Sequence, residues 1–439
     1  MRIVVQKFGG TSVSGQELRR EVAARVSEAL ATGRRSVVVV SAMGRAGDPY
    51  ATDTLIDLAQ AEGRVVGGRH LDLMMSCGEI VSAVILASSL CTAGIAARAF
   101  TGWQAGIKTD EVHLDAQITG VEPDAIVRCL EADEVAVVAG FQGVSEGGEV
   151  TTLGRGGSDI TAAALGAALG AEVVEIYTDV DGVKTADPRI VPAARTIEIV
   201  GHFEVCQMAS EGAKVVHPRA VEIAMRSNVP LRVKSTRGGG PGTLIATGRR
   251  MGWPMISDGR PVTAVTHVPS LAQVQVSCSG DQMPEGMELK VFERMAGAGI
   301  SVDLINVSPQ LVSYTVPDRV TEGVKAALAG LDLVVETRSG CAKVSVVGLG
   351  MRGVPGVMAK VSRALVGQGV RILQTADSHA TISCLVDAAD MERAIVALHD
   401  EFGLGNVAPR ATAGAADQPA AAAPDPNPKA TPPERRSGG

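Results

Sequence analysis

Aromatic residues make up only 3% of this 439-residue chain, whereas hydrophobic residues as a whole make up 46%. The cores must therefore be built mainly from Val, Ala, Leu and Ile rather than from packed rings. The formal net charge of -7 leaves no basic excess, and no Lys- or Arg-rich stripe is interleaved with aromatic residues. Because proteins that bind nucleic acid neutralise phosphates with positive charge, we expect no nucleic-acid partner.

The seven cysteines are scattered, and no C-x-x-C pair occurs among them. This spacing indicates neither a zinc knuckle nor a disulfide framework and fits reduced thiols in a cytoplasmic protein. The histidines show no metal-ligand spacing, so we predict no transition-metal site and interpret His217 and His379 as structural or effector-region residues. The apolar run at residues 3–5 is too short for a signal peptide or a membrane span, and we expect neither secretion nor membrane insertion.

A chain of this length suggests two to three domains. The composition changes at residues 237–260, where a GGGP run marks the clearest break, and we predict a linker there between a first domain at 1–236 and the rest. The last stretch, 409–439, is dominated by Ala and Pro without periodicity. It cannot bury enough apolar surface to offset chain entropy, and we expect it to be disordered.

The first domain alternates short apolar runs with longer amphipathic segments. The runs at residues 3–5, 37–40, 135–138 and 173–177 are apolar at nearly every position, as is typical of buried parallel strands. The pattern predicts an α/β fold with a mostly parallel sheet between two layers of helices. Ligands in such folds bind at the carboxyl ends of the strands.

The second half of the chain repeats itself at a constant offset of 70 positions, because residues 291–295 match 361–365 and residues 312–316 match 382–386. Each copy reads strand, helix, strand, strand, helix, which predicts two ferredoxin-like βαββαβ domains at 261–335 and 336–408. One such unit leaves a face of its small sheet uncovered. We therefore expect the copies to pair, either with each other or across a two-fold axis between chains.

Three motifs in the first domain suit an anionic substrate and a nucleotide. KFGGTS at 7–12 joins a strand to a helix, and its glycines and lysine predict a phosphate cradle, although it has neither P-loop nor G-x-G-x-x-G spacing and such turns are often only structural. GRGGSD at 154–159 presents Arg155 to a carboxylate, while Asp159 either caps the following helix or belongs to the site. TDVDGV at 178–183 offers carboxylates that suit a nucleotide and its metal ion, although Asp-Gly turns are common.

Together with VSAMG at 40–44, SCGE at 76–79 and AGFQG at 139–143, these motifs resemble aspartate kinase and occur in that family's order. In the second half, GMRGVPGV at 350–357 and QTADSH at 374–379 resemble the paired ACT domains of the diaminopimelate-sensitive aspartokinases of bacilli. The resemblance implies an amino-acid-kinase-type three-layer αβα sandwich followed by two ACT domains.

The resemblance also implies a reaction in which ATP, with Mg2+, phosphorylates the side-chain carboxylate of L-aspartate. This is the first step of lysine, diaminopimelate, threonine and methionine biosynthesis. Catalytic roles are implied for Lys7 and Asp179. Substrate contacts are implied for Ser41, Thr52, Glu79, Arg155, Ser158 and Asp159, with Arg155 on the α-carboxylate and Glu79 on the ammonium group. Nucleotide contacts are implied for Lys7, Phe8, Gly9, Gly10, Thr178, Asp179, Lys184, Arg189 and Lys214.

Regulation by an amino-acid effector is expected at the seams between ACT domains, which also predict a homo-oligomer. Asp281, Asp303 and Asn306 offer carboxylate and amide groups for a zwitterion, the alternative being that Asp303 and Asn306 merely end a strand. The effector is left open among meso-diaminopimelate, lysine and threonine, and the assembly between dimer and tetramer. The alternatives are an amino-acid kinase for glutamate, carbamate or uridylate, and a non-catalytic sensor. The pair of Arg155 and Glu79 favours an α-amino acid substrate.

Overall fold

The computed structural model describes residues 1–61, 67–213, 215–247, 260–278, 283–351 and 353–406. In its first part the strands are β1 Ile3–Phe8, β2 Arg35–Val40, β3 Ala97–Phe100, β4 Ile107–Thr109, β5 Ile118–Val121, β6 Val135–Ala139, β7 Gln142–Ser145, β8 Val150–Thr152, β9 Val173–Thr178, β10 Ile199–Val200, β11 Leu231–Ser235 and β12 Thr243–Ile245. Eight of them form one sheet in the order β10-β12-β11-β9-β1-β2-β6-β3. Every neighbouring pair is parallel except β11 with β12.

Helices cover both faces of this sheet. They are α1 Gly10–Val13, α2 Gln16–Ala31, α3 Thr52–Ala61, α4 Gly68–Thr92, α5 Asp124–Glu131, α6 Gly157–Ala168, α7 His202–Ser210 and α8 Pro218–Arg226. Successive side chains of β2 point to opposite faces, so Val37 and Val39 enter the core shared with α5 to α8, whereas Val38 and Val40 enter the core shared with α2 and α4. The predicted three-layer αβα sandwich is confirmed.

Helix α4 is long and apolar enough, by length and composition alone, to cross a membrane. However, 50% of its apolar window is buried inside the protein. Leu86 and Leu90 are fully buried in the core on one face of the large sheet. We therefore interpret α4 as a core helix of the sandwich.

A smaller sheet, in the order β5-β4-β7-β8, lies beside the large one. Strand β8 ends at Thr152, two residues before the glycine-rich turn that leads into α6. The small sheet therefore positions one of the predicted substrate motifs.

The second half of the chain forms a six-stranded antiparallel sheet in the order β14-β15-β13-β16-β18-β17. Its strands are β13 Ala264–Ser277, β14 Asp303–Val307, β15 Val312–Pro317, β16 Val334–Val347, β17 Gln374–Asp377 and β18 Thr381–Asp387. Its helices are α9 Met287–Gly297, α10 Thr321–Leu328, α11 Val357–Gly367 and α12 Met391–Glu401. The first helices of the two copies, α9 and α11, begin 70 residues apart, in agreement with the repeat, and the predicted pair of ferredoxin-like domains is confirmed.

Two strands of 14 residues, β13 and β16, are used by both copies. The first part of β13 pairs with the end of β16, and its later part pairs with β15 and the start of β16. The second copy therefore includes the first part of β13, which comes before the strands of the first copy in the sequence. The predicted boundary between 335 and 336 falls inside β16, and the linear division of the two domains remains a proposal.

The linker predicted at 237–260 begins too early. Residues 243–245 form β12, which pairs with β10 and β11 in the large sheet. The glycine-rich break at 238–241 is thus the connection of an antiparallel strand pair and not the end of the domain. Residues 248–259 and the predicted disordered tail at 409–439 lie outside the described residues.

Candidate active site

The loops that follow β1, β2 and β9 meet at one edge of the large sheet. Phe8, near the end of β1, is in register with Val40 on one side and with Tyr177 on the other. The Ser41 N–H donates to the Phe8 carbonyl at 3.2 Å. The cradle motif therefore lies between the loop after β2 and the loop after β9, as expected for neighbouring parallel strands.

Gly10 lies in a closely packed part of this edge. A Cβ atom at this position would lie 2.1 Å from the Ala42 carbonyl oxygen, so no larger residue fits. The Gly44 N–H also donates to the Gly10 carbonyl at 3.1 Å. The second glycine of the cradle thus lets the loop after β2 pack directly on the start of α1.

Lys7 and Asp159 form an ion pair at this edge. The Lys7 Nζ lies 2.7 Å from the Asp159 Oδ1, and the two side chains are only 13% and 12% exposed. Gly156 is the N-cap residue of α6, so Asp159 is not the capping residue. Its carboxylate instead holds the Lys7 ammonium group beside the cradle.

Glu79 is the most deeply buried of the predicted substrate residues, with 2% exposure on α4. Its Oε1 accepts the Ala42 N–H at 3.0 Å, whereas its Oε2 is buried and has no hydrogen-bond partner among the described residues. Burial raises the pKa of Glu79 to about 8, and the hydrogen bond from Ala42 opposes part of that rise. Because an unsatisfied buried oxygen costs free energy, this carboxyl group is suited to a cationic ligand.

The turn that carries Arg155 is held from two sides. Gly154 and Gly156 have left-handed φ values of 71° and 75°, and a Cβ atom on Gly156 would lie 2.4 Å from the His217 ring. A Cβ atom on Gly154 would lie 2.9 Å from the Asp115 carboxylate. Burial lowers the pKa of His217, which favours a neutral ring next to the turn. Arg155 itself is exposed, so its guanidinium group is available to a carboxylate.

Three other predicted substrate residues lie around the same edge. The loop after β2 packs on α4 beside Glu79, because a Cβ atom on Gly78 would lie 2.9 Å from the Tyr50 carbonyl oxygen. Half-buried Ser41 begins this loop, and Thr52 follows it as the first residue of α3. Ser158 is buried at the start of α6.

The predicted nucleotide residues after β9 are engaged with one another. The Thr178 hydroxyl donates to the Asp179 carboxylate at 3.1 Å, and Arg45 from the loop after β2 lies 3.4 Å from the same carboxylate. Lys184 lies 2.7 Å from Asp181. The sequence motifs did not single out Arg45, because its partner is 134 residues away.

Two further predicted nucleotide residues are Arg189 and Lys214. Arg189 is 86% exposed in its side chain and pairs with Asp187, a carboxylate of its own loop, at 2.6 Å. Lys214 lies outside the described residues.

Two of the predicted effector residues, Asp303 and Asn306, lie on the other sheet. The Asp303 carboxylate, at the start of β14, binds the buried Lys343 at 2.5 Å, and Lys343 also lies 3.0 Å from Glu211 just after α7. Burial lowers the pKa of Lys343, but the two carboxylates outweigh this effect and raise it overall. Asn306 is exposed on β14, and Asp281 lies outside the described residues.

A carboxylate that the sequence motifs did not single out is Asp72. It is fully buried on α4 and accepts hydrogen bonds from residues 41 to 80 positions away. Its only signal in the sequence is its position on the same helical face as Glu79, seven residues earlier.

Comparison with known proteins identifies the family of the chain. The amino acid kinase family model matches residues 2–235, and an ACT domain model matches residues 336–400. The chain is 45% identical to aspartokinase 1 of Bacillus subtilis (strain 168) across 92% of this chain and 100% of that protein. It is also similar to E. coli aspartokinase III, solved in complex with aspartate and ADP (R-state) and with lysine and aspartate (T-state). Each of those matches has a TM-score of 0.72 and 27% identity over 91% of this chain and 99% of the other. A relative of this similarity over nearly the whole chain, and a kinase match across the domain that holds Lys7, Glu79 and Arg155, show that the chain belongs to the aspartokinase family.

Proposed function

We propose that this protein transfers the γ-phosphoryl group of ATP to the side-chain carboxylate of L-aspartate, giving ADP and 4-phospho-L-aspartate. The observation that carries the proposal is the buried Oε2 of Glu79, which has no hydrogen-bond partner within the described part of the chain and lies next to the edge where Lys7 lies. The ammonium group of an amino acid would supply the missing partner. The E. coli relative solved with aspartate and ADP supports this choice of substrate and nucleotide.

For substrate binding, we assign the α-carboxylate of aspartate to Arg155 and its ammonium group to Glu79. A guanidinium group forms two parallel hydrogen bonds with a carboxylate, which fixes orientation as well as position. Further contacts are proposed for Ser41, Thr52, Ser158 and Asp159.

For the nucleotide, Lys7 and the backbone of Phe8, Gly9 and Gly10 would lie against the phosphates. Residues Thr178, Asp179, Lys184, Arg189 and Lys214 would complete the pocket. Mg2+ prefers carboxylate oxygens together with substrate phosphates, and the exposed Asp179 carboxylate at the end of β9 fits that preference. When bound, the ion neutralises charge on the phosphate oxygens.

In the reaction, a side-chain oxygen of aspartate attacks the γ-phosphorus, and the bond from that phosphorus to the bridging oxygen of ADP breaks. A carboxylate is already ionised near neutral pH, so no general base is needed. Catalysis by this chain then consists of orienting the two substrates and placing the Lys7 charge on the transferred group. Asp159, which pairs with Lys7, would keep the ammonium group in place before ATP binds.

We also propose that the enzyme is cytoplasmic, that it begins the lysine, diaminopimelate, threonine and methionine pathway, and that an end product inhibits it through the ACT domains. Asp303 and Asn306 on β14 would contribute to the effector site, together with Asp281. The E. coli relative solved with lysine supports an amino-acid effector. The effector stays open among meso-diaminopimelate, lysine and threonine.

Steady-state kinetics of two variants tests the proposal. Arg155→Ala should raise the KM for aspartate by a factor equivalent to about 2 to 4 kcal/mol and change the KM for ATP little. Lys7→Ala should lower kcat by orders of magnitude with a smaller effect on the KM for ATP. Arg98→Ala, which removes an exposed arginine paired with Glu134, is the matched control. An unchanged aspartate KM in Arg155→Ala, or phosphorylation of glutamate in preference to aspartate, would contradict the assignment.

A further inference from the structure

Asp72 is a buried carboxyl group that makes none of the substrate contacts proposed above. It is 0% exposed on α4. One of its oxygens accepts the Thr152 hydroxyl at 2.5 Å, both lie within 3.2 Å of the Leu114 N–H, and Oδ2 lies 2.6 Å from the His113 Nδ1. Because a buried carboxyl group is costly unless it is hydrogen-bonded, these contacts tie α4 firmly to two other segments.

One of those segments leads into the turn that carries Arg155, and the other packs against it. Thr152 is the last residue of β8, and Gly154 follows two positions later. On the other side, the Leu114 carbonyl oxygen and the Asp115 carboxylate lie 3.1 and 2.9 Å from where a Cβ atom of Gly154 would be. A shift of either segment would therefore move the turn.

Leu114 adopts a backbone conformation that is unfavourable for its residue type. Its φ is 71°, and the residue is 40% exposed, so burial of the leucine does not offset the cost. The N–H of Leu114 donates a hydrogen bond to the Asp72 carboxylate. Asp72 therefore contributes directly to keeping a strained backbone in place beside the turn.

From these contacts we infer that Asp72 is a positioning residue for aspartate binding, which acts by holding the Arg155 turn in its binding conformation. The inference rests on the proposed role of Arg155. It extends the substrate site to a carboxyl group that touches neither substrate.

The test compares three variants in the full-length enzyme. Asp72→Asn keeps the size of the side chain but offers one acceptor oxygen in place of two. It should raise the KM for aspartate about tenfold, because a displaced Arg155 guanidinium group forms weaker hydrogen bonds with the α-carboxylate. Thr152→Val removes only the hydrogen bond between Asp72 and β8 and should raise the KM for aspartate less than Asp72→Asn does. The KM for ATP should stay within about twofold in both. Ser82→Ala is the matched control, because Ser82 is a buried polar residue of the same helix whose hydroxyl has no hydrogen-bond partner among the described residues.

A double variant separates positioning from general stabilisation. If Asp72 acts through Arg155, Asp72→Asn should add almost nothing to the aspartate KM of Arg155→Ala, whereas independent effects would multiply. An unchanged aspartate KM in both Asp72→Asn and Thr152→Val, with only a lower Tm, would overturn the inference. If Asp72→Asn does not fold, Thr152→Val and His113→Ala decide in the same way. An Arg155→Ala protein with normal aspartate KM would contradict the proposed function instead.

Discussion

The protonation state of Glu79 should change when aspartate binds. Burial raises its pKa to about 8, so in the free enzyme near neutral pH the carboxyl group is mostly protonated. A substrate ammonium group favours the ionised form. Aspartate binding near pH 7 should therefore release a proton, and the affinity for aspartate should increase as the pH rises towards 8.

We predict that Glu79→Gln stabilises the free enzyme at high pH while it weakens aspartate binding. The folded-state pKa lies above the ordinary glutamate value, so the stability that this group contributes is present below about pH 4.5 and is lost as the pH rises through 8. Thermal unfolding should show a higher Tm for the variant than for wild type at pH 8.5 and little difference at pH 5. Its aspartate KM should be raised and should lose the pH dependence of the wild type. Equal Tm differences at both pH values would contradict a buried, ionising Glu79.

The residues that motifs can reveal are those at or just after the ends of strands, close to glycines in the sequence. Lys7, Arg155 and Asp179 occupy such positions, and sequence alone placed them in one family's order. Arg45 also follows a strand next to a glycine, but no motif indicates its contact with Asp179, 134 residues away. Asp72 lies on a helix, 80 residues from Thr152. No local pattern predicts a contact that only the sandwich and the small sheet bring together.

At the scale of elements, α7 joins the kinase domain to the ACT domains through carboxylates near both of its ends. Glu204, in its first turn, is buried and accepts the Thr263 hydroxyl at 2.7 Å and the Leu349 N–H at 3.2 Å. Glu211, just after the helix, accepts the Ser345 hydroxyl at 2.6 Å and pairs with Lys343. The segment after Glu211 leads to His217, which contacts the Arg155 turn, so α7 physically connects the regulatory sheet to the substrate site.

We predict that Glu211→Gln weakens effector inhibition and leaves uninhibited turnover nearly unchanged. The amide keeps an oxygen that can accept the Ser345 hydroxyl but lacks the negative charge of Glu211. Lys343 is then left with Asp303 as its charged partner. Inhibition curves for each effector would measure the change, with a loss equivalent to about 0.5 to 2 kcal/mol of coupling. Glu222→Gln, at an exposed carboxylate on α8, is the control. Equal inhibition of Glu211→Gln and wild type would exclude this contact from the regulatory connection.

The repeat predicted the ACT helices well because core positions recur with the same offset. Val291 and Val361 are both buried, as are Met295 and Leu365. The use of β13 and β16 by both ACT copies could not be predicted, because the apolar pattern of a strand does not determine which strands it pairs with. For the same reason the glycine-rich break before β12 was misread as a domain boundary.

For the molecule as a whole, β14 is an edge strand suited to join two copies of the chain. It ends the six-stranded sheet and exposes Ile305 by 50% and Val307 by 53%. An exposed apolar edge strand favours pairing with another chain. We predict that Ile305→Lys lowers the mass measured by light scattering, whereas Leu58→Lys, at an exposed leucine of α3, does not. An unchanged mass for Ile305→Lys would place the assembly contact elsewhere.

The last prediction concerns removal of the ACT domains. Apolar residues of the kinase loop that carries Lys184 and Arg189, Ala186 and Val191, pack in the core of the second ACT domain, and the Thr185 hydroxyl lies 3.0 Å from the buried His399 of α12. A chain that ends at Gly252 should therefore lose inhibition completely. It should also show a higher KM for ATP, because the loop loses its support.

Rates with lysine, threonine and meso-diaminopimelate, alone and in pairs, measure the first effect on both proteins. In the full-length enzyme, Asn306→Ala should weaken inhibition and leave the uninhibited rate largely intact. The coupling free energy between the effector and the active site should be roughly 1 to 3 kcal/mol in the wild type. Truncation then removes the coupling together with the loop's support, whereas Asn306→Ala removes only a ligand contact. If none of the three amino acids alters the wild-type rate, the repeat serves assembly alone, and the loop contact with α12 is only structural.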